Sequence, residues 1–182
     1  MTYYSGKELA ASFRTVRNNT IKIAEDIPEN KYDFRPAPDT RTIAKTLVHI
    51  ALGPGFQTHI HRNKIDDLKN VNFQELMQKA GAEEATPRSK GEIIAFLRRE
   101  GDTFAAFLEG VPESVLAERV VMPPGAEPAS KSRFEMLLGP KEHEMHHRGQ
   151  LMTFQRMVGI VPHLTRQMQE RMAQAQAQGA TR

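Results

Sequence analysis

Three serine residues, each followed three positions later by a glutamate, open three runs of apolar residues at helical spacing. The pairs are Ser5 with Glu8, Ser89 with Glu92, and Ser132 with Glu135. In such a capping box the two side chains bind backbone N–H groups that the first helical turn leaves free. Apolar residues recur every three to four positions after each box, which predicts amphipathic helices. We find no convincing β-strand pattern, so the predicted class is all-α.

Stop signals divide the chain into four main helices. Their predicted ranges are Ser5 to Ile27, Arg41 to Arg62 with Thr40 as N-cap and a bend at Gly53-Pro54, Gly91 to Gly110, and Ser132 to about Val158. Shorter features are a helical piece at 73–80, a proline-rich loop at 111–130 and a polar helix at 162–178. We therefore expect a four-helix bundle over residues 1–162, with a long crossover connection, and an accessory C-terminal helical extension over 163–182.

Composition excludes several functions. The 25 Lys and Arg against 22 Asp and Glu give a net charge of +3, and the basic residues are scattered, which does not favour nucleic-acid binding. No stretch approaches the roughly 20 apolar residues of a membrane span, and the N-terminus does not resemble a signal peptide, so a cytoplasmic protein is expected. The chain has no cysteine, so any metal ligands are nitrogen or oxygen atoms.

Three of the seven histidines are predicted to point into the bundle from two helices. His143 and His147 are four residues apart, which places their rings one helical turn apart and able to share an ion. On the second helix, His49 points in the same direction as apolar neighbours, and bundle cores build metal sites from facing helices. His146 falls about 80–100° away, towards Gln150.

A second interpretation applies to any single histidine, because one on an apolar face is often a hydrogen-bonded core residue. Three neutral imidazoles buried together without an ion are harder to supply with hydrogen-bond partners. His59, His61 and His163 are predicted to be exposed or to cap helices locally, with His59 as a reserve ligand.

The stretch from His143 to His147 also reads H-E-x-x-H, the motif that gives zinc peptidases two ligands and a general base. The extended form of that motif fails, since Gln150 and Thr153 stand where Gly and His are required. No strand is predicted that could bind an extended peptide. A metallopeptidase is therefore the weaker alternative.

Two segments resemble the DinB/YfiT-like superfamily: KYDFRPAPDTRTIAKTLVHIA at 31–51 and HEMHHRGQL at 143–151. The resemblance implies a four-helix bundle, often a homodimer, in which His49, His143 and His147 hold one divalent ion such as zinc, nickel or iron. Related branches include thiol-dependent transferases and isomerases that use bacillithiol, mycothiol or glutathione, and some members are regarded as hydrolases.

Three neutral imidazoles leave positions open on an ion, which is typical of a catalytic site. We expect a metal-dependent transferase or hydrolase that acts on a small molecule, with a low-molecular-weight thiol as a candidate partner. The alternative is a non-catalytic stress-response bundle in which the metal stabilises the fold or acts as a sensor. A homodimer is expected because the fourth helix has a broad apolar arc, about 200° around its axis, from Met136 through Leu151 to Leu138. The alternative is that the fourth helix is simply the central, most buried helix of one bundle.

Further side chains are candidates for supporting roles. Glu144, next to a ligand, is a candidate general base, or else a carboxylate that orients a ligand or packs between helices. Arg148 is a candidate for binding an acidic substrate group or for a salt bridge within the bundle. Tyr32, Asp33 and Arg35 are expected at the mouth of the site.

Overall fold

The computed structural model describes residues 4–179 and confirms the helical class. Its elements are α1 (Gly6–Asp26), α2 (Ile43–Leu52), α3 (Pro54–Arg62), α4 (Phe73–Ala85), α5 (Lys90–Glu109), α6 (Glu113–Leu116), β1 (Arg119–Val121), β2 (Ser130–Ser132), α7 (Arg133–Met157) and α8 (His163–Gly179). Helices α1 and α2 each pack against both α5 and α7, which forms the bundle. The segment with α4 crosses between α3 and α5, and α8 contacts α1. The predicted bundle, crossover and accessory helix are all present.

The predicted capping boxes set the helix starts. Those at Ser5 and Ser89 are complete, with serine and glutamate side chains each accepting a backbone hydrogen bond. Ser132 caps α7 by accepting from the Glu135 N–H, while the Glu135 carboxylate lies 3.8 Å from Lys131 Nζ. Each long helix therefore begins where the sequence predicts it to begin.

The predicted second helix is two helices. Pro54 has no N–H group to continue the hydrogen-bond ladder, so α2 ends at Leu52 and α3 begins at Pro54. The predicted N-cap was wrong by two positions: Thr42, not Thr40, accepts a hydrogen bond from the Lys45 N–H. Thr40 instead closes a separate turn with Ala37.

The prediction of a loop at 111–130 and of no β-strand was wrong in detail. Helix α6 lies within this stretch, and β1 pairs with β2 as a two-stranded antiparallel sheet in which Val120 faces Lys131. Strands of three residues are too short for an alternating pattern to show. The helical piece predicted at 73–80 is also longer, because α4 continues to Ala85.

The core contains three apolar clusters, of which the two largest lie towards opposite ends of the bundle. The first includes Leu9, Phe13, Phe104 and Leu108, and the second includes Ile23, Leu47, Leu97 and Leu151. Helix α4 contains no buried residue and lies over α2 from outside. Within residues 4–179, no helix is both long enough and apolar enough to cross a bilayer.

The C-terminal extension is described as far as Gly179, and the rest of the predicted range 163–182 lies outside the described residues. Helix α8 docks through Arg166, whose guanidinium is 2.7 Å from Asp26 of α1. The boundary predicted between residues 162 and 163 coincides with the start of α8, and the division into two units stays a prediction.

Candidate metal centre

The structure brings the three predicted ligands together between α2 and α7. His49 Nε2 lies 3.0 Å from His143 Nε2, which lies 3.2 Å from His147 Nε2. One ligand nitrogen from each ring falls within 4.8 Å of the other two. Two nitrogens bound at about 2.1 Å to one ion lie about 3.0–3.4 Å apart for octahedral to tetrahedral angles. The two close separations therefore fit a single divalent ion.

Hydrogen bonds on the outer side of two rings fix which nitrogen carries the proton. His49 Nδ1 is 3.2 Å from Glu84 Oε2, and His147 Nδ1 is 2.8 Å from Gln150 Oε1. Both oxygens are acceptors, so Nδ1 is protonated in each ring and Nε2 keeps its lone pair. This arrangement, with an outer acceptor behind a ligand histidine, orients rings for metal binding.

The contacts among the three rings are not satisfied by hydrogen bonds alone. His143 Nε2 faces the Nε2 lone pairs of both His49 and His147. A single proton on His143 Nε2 is donated to one of these lone pairs, and the other lone pair then faces the same nitrogen without a hydrogen between the two atoms. A cation between the rings removes this conflict, which supports a metal ion over three core histidines bonded to each other.

The electrostatic surroundings keep the imidazoles neutral. Burial lowers the pKa of His143 to about 4, assisted by the neighbouring His147 and His49 rings. Burial is also the main cause that lowers the pKa of His49 and of His147, and the positive charge of Arg41 contributes to both. Lone pairs are therefore available for a metal at neutral pH without first removing protons.

Gly53, which lies between α2 and α3, leaves room for the ring of His143. A Cβ atom at this position would lie 2.9 Å from His143 Nδ1. Its backbone angles, φ −48° and ψ −42°, are ordinary helical values, so glycine is needed here for space rather than for conformation. The sequence pointed to a bend at this position without showing that it serves the centre.

We expect Gly53→Ala to weaken zinc binding by about tenfold, because the methyl group displaces the His143 ring. The metal-free fold should survive, since alanine is favoured over glycine in a helix by about 1 kcal/mol. Competition with a chromophoric chelator measures the affinity, and thermal unfolding of the metal-free protein measures stability. Gly55→Ala is the control, because a Cβ there meets no atom within 4 Å. Equal zinc affinity in both variants would contradict this role.

Glu144 lies in a buried ion pair. Its carboxylate oxygens are each 3.0 Å from Arg17 Nε, and the two side chains are 1% and 3% exposed. Arg17 also donates to the carbonyl oxygens of Leu97 at 2.7 Å and Ile50 at 3.2 Å. The structure therefore places Glu144 between helices, in the last of its three predicted roles, and within residues 4–179 no contact supports it as a general base.

The remaining histidines divide into exposed and buried ones. His59 is exposed and its Nδ1 is 3.2 Å from Asn63 Nδ2, so the reserve ligand lies outside the cluster. His146 faces Gln150 as predicted, at 3.2 Å. The prediction of exposed or capping roles was wrong for His61 and His163, which are 8% and 3% exposed.

These two rings are buried because distant segments cover them. Arg133, from the start of α7, places Nη1 3.1 Å from His61 Nδ1. His163 is covered by the docking of α8 on α1, where its Nε2 lies 3.2 Å from Asn19 Oδ1. The local spacing of apolar residues predicts neither contact.

One of the three residues expected at the mouth of the site, Tyr32, lies in the core instead. Tyr32 is 5% exposed and donates a 2.8 Å hydrogen bond to the Ala24 carbonyl, so its placement at the mouth was wrong. Asp33 and Arg35 are exposed in the connection before α2. Arg148 is half-buried and contributes to lowering the pKa of His163, after burial as the main cause.

Sequence reasoning missed two residues beside the centre, Glu84 and Arg41. Glu84 Oε1 accepts a 2.6 Å hydrogen bond from Arg41 Nε, while its Oε2 contacts His49. Glu84 belongs to α4, a polar helix whose contact with α2 no local pattern predicts. No sequence signal identified it.

A four-helix bundle with three converging imidazoles defines the structural class of this protein. The profile of the DinB superfamily matches residues 12–151. That match covers most of the chain, and the protein therefore belongs to the DinB superfamily. No match is found among curated proteins.

Solved structures share the fold at low sequence identity. A DinB-like protein of Bacillus subtilis is 22% identical with a TM-score of 0.61, over 84% of this chain and 92% of that one. YfiT of Bacillus subtilis, described as "a probable metal-dependent hydrolase", is 11% identical with a TM-score of 0.66, over 88% and 91%. A mycothiol-dependent maleylpyruvate isomerase is 10% identical with a TM-score of 0.62, over 83% of this chain and 63% of that one.

Proposed function

We propose that this protein is a metal-dependent enzyme that acts on a small molecule, holding one divalent ion, zinc, nickel or iron, through His49, His143 and His147. The observation that carries the proposal is the convergence of three Nε2 atoms at 3.0 and 3.2 Å, with outer hydrogen bonds directing two lone pairs inward. A bound ion would supply Lewis acidity and lower the pKa of a thiol or water molecule that binds to it.

An enzyme is favoured over a non-catalytic metal protein because the centre is accessible. Three protein ligands leave coordination positions open, whereas structural zinc sites are closed by four. The His49 side chain is 25% exposed, so a small molecule has a route to the centre from solvent. The chain contains no cysteine, so a thiol nucleophile would come from a separate small molecule.

We propose both a thiol-dependent enzyme and a hydrolase as candidates, because neighbours of both kinds are described. One is described as dependent on mycothiol and another as a metal-dependent hydrolase, and both descriptions fit a site with exchangeable positions. The peptidase alternative has no support in the geometry, because the Glu144 carboxylate is bound to Arg17. A homodimer and a cytoplasmic location stay predictions from the sequence.

Elemental analysis of the protein, purified without a histidine tag, tests the metal site. We expect about one divalent ion per chain, bound in the wild type and lost in His147→Ala, since two remaining imidazoles hold an ion poorly. His59→Ala is the matched control, because that ring is exposed and outside the cluster. A wild-type protein that takes up no zinc, nickel or iron would contradict the proposal.

Cobalt substitution separates an enzyme from a structural site. Addition of 2-mercaptoethanol should change the visible spectrum of the cobalt protein, because an open position admits a thiolate. A spectrum that no thiol or small anion perturbs would indicate a closed site and the non-catalytic alternative.

A further inference from the structure

The charges around the centre are unevenly balanced. Three neutral imidazoles contribute no charge to offset a divalent ion. Within residues 4–179, the carboxylate that contacts the cluster is that of Glu84, and it is paired with Arg41 at 2.6 Å, so these two charges cancel. A net positive charge remains at the centre, and it favours an anionic ligand.

Arg41 is placed to bind part of that ligand. It directly precedes Thr42, the N-cap of α2, and Glu84 links its Nε to the His49 ring. Its positive charge also contributes to lowering the pKa of His49, His143 and His147, after burial as the main cause.

One edge of this guanidinium is free. Glu84 accepts only from Nε, and within residues 4–179 the Nη1 and Nη2 groups of Arg41 have no hydrogen-bond partner. The side chain is 43% exposed, so these donors are open to solvent. A planar pair of Nη–H donors matches the two oxygens of a carboxylate.

We propose that the small-molecule ligand of this centre carries a carboxylate, and that the Nη edge of Arg41 binds it while the ligand's thiol group lies at the three histidines. This inference rests on the proposed function, and it names the chemical class of the ligand. Glu84 has a positioning role, because it holds both Arg41 Nε and His49 Nδ1.

Within residues 4–179, no other arginine is linked to the three rings by a hydrogen bond or an ion pair. Arg88 is paired with Glu83, and Arg35 donates to the Pro38 carbonyl oxygen. Arg148, predicted as a candidate for an acidic substrate group, is half-buried, and its charge contributes to lowering the pKa of His163, after burial as the main cause. Arg41 is therefore the cation that the structure assigns to the ligand.

Two thiols that differ in the proposed group test this assignment on the cobalt-substituted full chain. The probes are 3-mercaptopropionate, which carries a carboxylate, and 2-mercaptoethanol, which does not. Spectral titration gives a dissociation constant for each. We expect the wild type to bind 3-mercaptopropionate about tenfold more tightly, as a charge-assisted hydrogen bond implies. The ratio of the two constants cancels any general change in the cobalt site.

Arg41→Met should reduce this ratio to about one, while Arg98→Met, at an exposed arginine paired with Glu25 between α5 and α1, should leave it unchanged. The double variant Arg41→Met/Glu84→Gln restores the local charge balance without restoring the donors. The ratio should stay near one in the double variant if Arg41 binds the carboxylate directly. A ratio restored by the double variant, or unaffected by Arg41→Met, would overturn the inference. Failure of both thiols to bind would instead count against the proposed function.

Discussion

Replacing Glu144 with alanine is expected to lower the free energy of unfolding of the metal-free protein by about 3–5 kcal/mol, because it leaves a buried guanidinium without its counter-charge. Arg17 is 3% exposed and Glu144 1% exposed, with Arg17 Nη2 2.9 Å from Glu144 Oε2. Water cannot replace the lost carboxylate at such burial. Urea unfolding at neutral pH measures the change.

The expected effect is large because this ion pair joins all four main helices. Arg17 belongs to α1 and Glu144 to α7, and the two carbonyl oxygens that Arg17 binds belong to Leu97 of α5 and Ile50 of α2. On α1, Arg17 lies one turn from Phe13 and one turn from Ile21, which belong to the two largest core clusters, so Glu144→Ala leaves an unpaired charge between them.

A control and a rescue make the result specific. Glu142→Ala removes an exposed carboxylate from the same helix and should change stability by no more than about 0.5 kcal/mol. Arg17→Met/Glu144→Leu removes both charges and should recover most of the stability lost in Glu144→Ala. A Glu144→Ala protein within 1 kcal/mol of wild type, on the order of an ordinary surface change, would show that the pair is not needed.

The same ion pair bears on metal binding. Ile50 directly follows His49, and Glu144 directly follows His143, two of the three proposed ligands. Arg17 therefore links the two segments on facing helices that carry the proposed ligands. The glutamate of the H-E-x-x-H stretch is thus explained by its ion pair with Arg17 between the helices rather than by peptidase chemistry.

The sequence was sufficient to predict that the three imidazoles converge, because helix geometry fixes the direction of each side chain. At about 100° per residue, four positions return a side chain to the same face, so His143 and His147 could be placed together. The inward direction of His49 was predicted because it lies on the same face of the second helix as apolar residues. The structure brings these three rings into contact, as expected.

What the sequence could not predict depends on contacts between distant segments. Glu84 reaches His49 across 35 positions, from a helix that has no buried face. Arg133 covers His61 across 72 positions. Such contacts arise from how elements pack in three dimensions, and neither residue carries a local motif that marks it.

His61 provides a second large effect, on stability in acid. Burial lowers its pKa to about 4, and the positive charge of Arg133 adds to the shift. Arg133 is itself held by Glu118 at 2.8 Å, and His61 Nε2 lies 3.1 Å from Gln57 Oε1. A proton on Nδ1 would break the bond from Arg133 and place two positive charges together.

The metal-free protein should therefore lose stability as pH falls from about 6.5 to 4. In this range the unfolded chain binds a proton at His61 and the folded chain does not, so acid favours unfolding, by about 3 kcal/mol for this residue. His61→Asn keeps an acceptor towards Arg133 without the titrating ring, and its stability should fall less over the same range. Urea unfolding at several pH values measures the slopes, and His59→Asn, at an exposed ring, should keep the wild-type slope. If His61→Asn loses as much stability as wild type between pH 6.5 and 4, the buried ring is not the origin of the acid sensitivity.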